Sequence, residues 1–121
     1  IMLAGYTVEP AAVIAGKPLT LTLAWKTLAA MNEGYTVFIH LVDGNGAVRA
    51  QQDIAPVNGA YPTTLWQPGE FVADTHTLLI PADLLPGEYV LNVGLYLAHN
   101  GVRLSSPDGQ DYVRLPSGIR R

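Results

Sequence analysis

Three groups of side chains carry what chemistry this 121-residue chain offers. The first is His40, in an alternating stretch that a hairpin folds back against Arg49 and Asp53. A histidine with a carboxylate partner is the basis of general acid–base work. No serine stands in a recognisable nucleophile elbow and the chain has no cysteine, so nucleophilic catalysis has no local support. A histidine hydrogen-bonded across the hairpin is the simpler reading. The second group is Asp74-Thr75-His76, which sets a carboxylate and an imidazole on one face of a strand. Joined by His40 or His99 it would form a hydrolytic metal site. Three histidines scattered along the chain argue instead for satisfied surface or interstrand residues. No metal and no cofactor is expected, and no catalytic residue is assigned.

The third group is aromatic. Tyr61 and Trp66 stand in a segment, "GAYPTTLWQPGE", that reads as neither strand nor helix, and Tyr96 points outward from a strand. Aromatic faces at loop tips suit sugar rings, whose C–H faces stack on the π system while amides and carboxylates take the hydroxyls. Asn58, Gln67 and Glu70 stand nearby for that purpose. The competing reading has Trp66 fold back as a plug over the open end of the fold. It is favoured for Trp66, and for Tyr61 both readings stand.

The elements that must hold these residues follow a period of two. In the stretch 19–26, Leu19, Leu21, Leu23 and Trp25 share one face, with Thr20, Thr22 and Lys26 on the other. The stretch 88–98 repeats the pattern, with Tyr89, Leu91, Val93, Leu95 and Leu97 inward. Apolar residues on both faces of 35–42 and 71–80 mark them as central strands. Gly- and Pro-containing turns separate the runs, including Pro107-Asp108-Gly109. Strands are expected near 2–8, 19–26, 35–42, 47–53, 71–80 and 88–98, with short ones near 102–104 and 111–115. The expectation is a single all-β domain: an antiparallel β-sandwich of about seven or eight strands, immunoglobulin-like or jelly-roll-like, with the former preferred.

Asn45-Gly46 between two apolar runs is a strong hairpin signal. A loop of two or of four residues pairs odd positions of 35–42 with even positions of 47–53. One face then collects Val37, Ile39, Leu41, Val48 and Ala50 as core. The other collects Phe38, His40, Arg49, Gln51 and Asp53, the first candidate surface for a ligand.

Composition bounds the partners. Apolar residues are 49% and charged residues 14%, which excludes a disordered chain. A net charge of −3 excludes nucleic acid as the main partner, because phosphate binding wants a basic surface. No apolar run reaches the roughly 18–20 residues needed to span a bilayer, so this segment is not expected to insert directly. A start at Ile1-Met2 reads as a segment of a larger protein, with any localisation signal elsewhere.

The string 35–43, then Asp53-Ile54-Ala55-Pro56, Tyr61-Pro62-Thr63-Thr64, Trp66-Gln67-Pro68-Gly69-Glu70 and Asp74, forms a linked pattern. It continues through 81–89 into Val93-Gly94-Leu95-Tyr96. Together these resemble the C-terminal β-sandwich appended to bacterial multi-spanning membrane proteins of the glycosyltransferase family 39 (dolichyl-phosphate-mannose mannosyltransferase-like) type. The turn at 85–89 is also similar to the carbohydrate-binding sandwich of O-antigen export transporters. The resemblance implies an extracytoplasmic accessory domain of a membrane-anchored glycosyltransferase, whose catalytic residues belong to its membrane portion. It implies carbohydrate or the parent's membrane domain as partner. The alternative is a structural module that docks on that parent or associates with itself.

Overall fold

The computed structural model describes residues 1–105 and 109–115, and the backbone of 119–120. The turn expected at Pro107-Asp108-Gly109 begins outside the described residues. Strands β1 (Met2–Glu9), β2 (Pro18–Lys26) and β5 (Phe71–Leu79) form one sheet in the order β1-β2-β5. A second sheet runs β4-β3-β6-β7, from β3 (Tyr35–Val42), β4 (Val48–Ile54), β6 (Glu88–Leu97) and β7 (Val113–Arg114). The short β8 (Ile119–Arg120) pairs with β6 as well. All ladders are antiparallel. None of the described helical segments is long and apolar enough to cross a membrane.

Alternation builds the core. Leu19, Leu21, Leu23 and Trp25 of β2 are buried with Val37, Ile39 and Leu41 of β3 and Tyr89, Leu91, Val93 and Leu95 of β6. Each such side chain contributes about 1.5–3 kcal/mol when fully withdrawn from water. The chain crosses between sheets from β2 to β3, β4 to β5 and β5 to β6, which makes the sandwich immunoglobulin-like, with β4 beside β3 rather than beside β5. The Tyr89 hydroxyl donates to the Leu85 carbonyl at 2.5 Å, the tyrosine corner that ties the loop before β6 to its first residues.

Two expectations are overturned. The hairpin loop holds three residues, not two or four: the Asp43 N–H donates to the Ala47 carbonyl, and the Gly46 N–H donates to the Asp43 carbonyl. Gly46 takes φ 84°, as a turn closed by a bulge requires. An odd loop sets Val42 opposite Val48, and odd–even pairing resumes at Leu41 and Ala50, with Arg49 as the extra residue of a bulge. Val48 is consequently 46% exposed rather than core. Arg49 leaves the ladder and binds the Asp43 carboxylate at 2.7 Å.

The stretch 71–80 is not a central strand. β5 lies at the edge of its sheet and alternates strictly, burying Val72, Asp74, His76 and Leu78. Phe71 (63% exposed) and Leu79 (76%) point outward, so its apolar residues on both faces reflect its ends and not double burial. The edge is blunted by the Gln52 side chain, whose Nε2 donates to the Thr77 carbonyl at 2.7 Å.

Candidate functional site

The aromatic loop is closed on itself. Trp66 is 1% exposed, and its indole N–H donates to the Tyr61 carbonyl at 2.9 Å. The Tyr61 ring stacks on Trp66 with centroids 6.3 Å apart, and its hydroxyl donates to the Glu70 carboxylate at 2.8 Å. That hydrogen bond, with some burial, raises the Tyr61 phenol above its ordinary value. Glu70 also accepts the Gln67 N–H, and Thr63 Oγ1 joins the loop to β3 by donating to the Glu33 carbonyl while accepting the Tyr35 N–H. The segment is an end plug, with Trp66 as its body, and the Trp66 ring offers no face to a ligand.

Asp74 and His76 are buried between the sheets rather than on the surface. Asp74 Oδ2 accepts the Trp25 indole N–H at 3.2 Å and meets His76 Nε2 at 2.5 Å, while Oδ1 accepts the Val57 N–H at 2.7 Å. His76 Nδ1 meets Gln52 Oε1 at 2.8 Å. Gln52 already gives its amide hydrogen to Thr77, so its oxygen must be the acceptor and Nδ1 carries a hydrogen. The cluster also pins Val57, a β-branched residue at φ 54°. His40 sits on the outer face of the opposite sheet, so the three groups of a hydrolytic metal site do not converge. Among the described residues no cluster of three or more His, Asp or Glu side chains could hold a metal.

The outer face of the second sheet does gather side chains. The ladders align Gln51, His40, Asn92 and Arg114 in one row across β4, β3, β6 and β7. The next row is Asp53, Phe38 and Gly94, and beyond it Thr36, Tyr96 and Arg103. Of the expected residues, Phe38, His40, Gln51 and Asp53 come together, whereas Arg49, Tyr61 and Trp66 lie elsewhere. Phe38 is only 2% exposed, because the Arg103 guanidinium lies 4.3 Å from its ring centroid and Gly94 lets the ring approach β6. Asp53 accepts the Tyr96 hydroxyl at 2.8 Å, which raises the Tyr96 phenol. Burial holds His40 below its ordinary 6.5, against the opposing pull of Asp53 and with a smaller push from Arg103.

Beside this face, a groove of about 700 Å³ opens between the hairpin and β7, lined by Val42, Asp43, Glu88, Asn92, Tyr112 and Arg114 among others. The Asn92 carboxamide oxygen is buried there with no hydrogen-bond partner among the described residues. A buried acceptor without a donor costs about 1–3 kcal/mol. Arg114 is exposed and makes no ion pair with a described residue, while Arg49 and Arg103 are matched to Asp43 and Asp111. The groove can therefore give hydrogen bonds through a guanidinium and offer the half-exposed Tyr112 ring as a wall, while the Asn92 oxygen stays shielded beneath it. Sequence reasoning did not single out Asn92, Tyr112 and Arg114. The signal for Asn92 was a carboxamide in the middle of an otherwise apolar strand. For the other two none existed without the β6–β7 register. No protein-family model matches the chain, and no curated protein matches it.

Proposed function

We propose that this sandwich is a non-catalytic accessory domain of a bacterial membrane glycosyltransferase, on the extracytoplasmic side, that binds glycan in the groove between the hairpin and β7. The observation that carries the binding reading is a groove that presents the exposed Tyr112 ring beside the Arg114 guanidinium, unpaired among the described residues. Saccharides supply many hydroxyl oxygens and a C–H face for an aromatic ring, which is the complement of this set. The resemblance carried by 35–43, 53–74 and 81–96 supports the link to a glycosyltransferase. A glycan array followed by calorimetric titration tests it. Binding that is weakened in Tyr112→Ala supports the groove, and binding indifferent to that change removes it.

A second reading, docking on the parent's membrane domain or self-association, draws on Phe71 and Leu79, which stand exposed at the two ends of β5. Sedimentation of wild type against Phe71→Ser/Leu79→Ser decides its self-association form.

A further inference from the structure

We infer that the saccharide this groove takes is acidic, a sugar carrying a carboxylate that Arg114 reads. The inference rests on the glycan-binding reading above and adds the charge of the ligand. Its basis is the charge balance of the face. The domain as a whole is acidic, at −3, yet all three arginines whose side chains are described sit around this sheet: Arg49 on the hairpin, Arg103 over Phe38 and Arg114 on β7. Two of them are neutralised, Arg49 by Asp43 at 2.7 Å and Arg103 by Asp111 at 3.6 Å. Asp53 is occupied by Tyr96 and, more loosely, by Gln51 at 3.4 Å. Arg114 is left as the face's uncompensated charge among the described residues, and it stands directly across the ladder from Asn92.

Geometry assigns the parts. A guanidinium is a rigid fork of donors that matches a carboxylate with two parallel hydrogen bonds. Beside it lies Asn92, whose oxygen is shielded from solvent. His40 and Gln51 continue the row across β3 and β4, so the four side chains span roughly 14 Å at the usual strand spacing. That length suits a short oligosaccharide with its acidic unit at the β7 end.

The experiment is calorimetric titration of the intact domain with uronate trisaccharides (galacturonate, mannuronate and guluronate) and with neutral galactose and mannose trisaccharides, for wild type, Arg114→Gln and Arg114→Lys. The expected result is at least one uronate bound roughly tenfold or more tighter than its neutral counterpart, the scale of a charge-assisted pair. That preference should shrink with added salt, vanish in Arg114→Gln and survive in part in Arg114→Lys. Acidic and neutral sugars bound alike, or a preference unchanged in Arg114→Gln, overturns the inference and leaves the glycan reading standing. No binding by any of the sugars overturns both. Arg114 is exposed, so its substitution leaves the fold intact for all arms, which circular dichroism checks.

Discussion

Gln51 and Gln52 are neighbours in sequence and belong to opposite worlds. Gln52 turns inward and completes a chain of hydrogen bonds through His76, Asp74, Trp25 and Val57. Gln51 turns outward into the row with His40, Asn92 and Arg114, where a buried oxygen and a guanidinium have no partner among the described residues. The two clusters use similar side-chain types and meet on one strand, β4, so composition does not separate them. Satisfaction does. A closed polar network inside a core fixes one packing and rewards no ligand, whereas an open one leaves groups whose best partner is still to come.

The closed network should break hardest. Asp74→Ala leaves the Trp25 indole, the Val57 N–H and His76 without their acceptor in the core. Each buried donor left without its acceptor costs about 1–3 kcal/mol. Denaturant unfolding should show that loss, with Asp74→Asn less damaging because its carboxamide oxygen still accepts from Val57. A loss under 1 kcal/mol for Asp74→Ala, on the order of one exposed pair, would mean that the network is not closed. The carboxylate would then already be reached by water.

The next substitution tests how open the outer face is. A Cβ at Gly94 would stand 2.4 Å from Phe38 Cζ, and Arg103 covers the ring, so Phe38 has little room to move. Gly94→Ala should cost about 1–3 kcal/mol, as overpacking does. Phe38→Leu in the same chain should recover part of it. Additive losses in the double variant, measured by thermal melting, would show that Phe38 is free to swing and that the face offers an aromatic platform after all.

Much of this was legible in residues. Strict alternation in 19–26 and 88–98 states which side chains are core, and the Tyr89 corner follows from Pro86-Gly87-Glu88-Tyr89 ahead of a strand. Gln51 and Asp53 fall with Phe38 and His40 by parity alone. Arg49 and Val48 were misplaced because parity depends on the loop, and three residues with a bulge shift just the two positions nearest the turn. Asp74 and His76 were placed on one face correctly, but their strand mixes polar and apolar residues on both faces. Val72 and Leu78 accompany them inward, while Phe71 and Leu79 lie outward, so hydrophobicity could not say which face was core. Asn92 became a site residue only once its neighbours across the ladder were known.

A pH titration probes the open row more gently. Burial lowers the folded-state value of His40 below 6.5, so protonation favours the unfolded chain. His40 therefore adds stability that is fully present above pH 6.5 and is lost as pH falls through that value toward the lowered folded one. Urea midpoints for His40→Gln should fall less on acidification than those of wild type. Equal slopes would place the imidazole in water.

The smallest expected effect has the opposite sign, and it separates the two clusters most cleanly. Asn92→Leu keeps the volume near constant and removes a buried oxygen that no described group satisfies. Replacing an unsatisfied polar group by an apolar one of similar shape is nearly neutral or stabilising, so unfolding free energy should change by less than about 1 kcal/mol or rise. Glycan binding, which rests on Arg114 and Tyr112, should persist. Gln52→Leu, the matched change in the closed network, should do the reverse to stability: it strips His76 Nδ1 and the Thr77 carbonyl of partners and should destabilise the fold by about 1–3 kcal/mol, again leaving binding untouched. If Asn92→Leu instead destabilises as much as Gln52→Leu, the Asn92 oxygen has a partner in the fold.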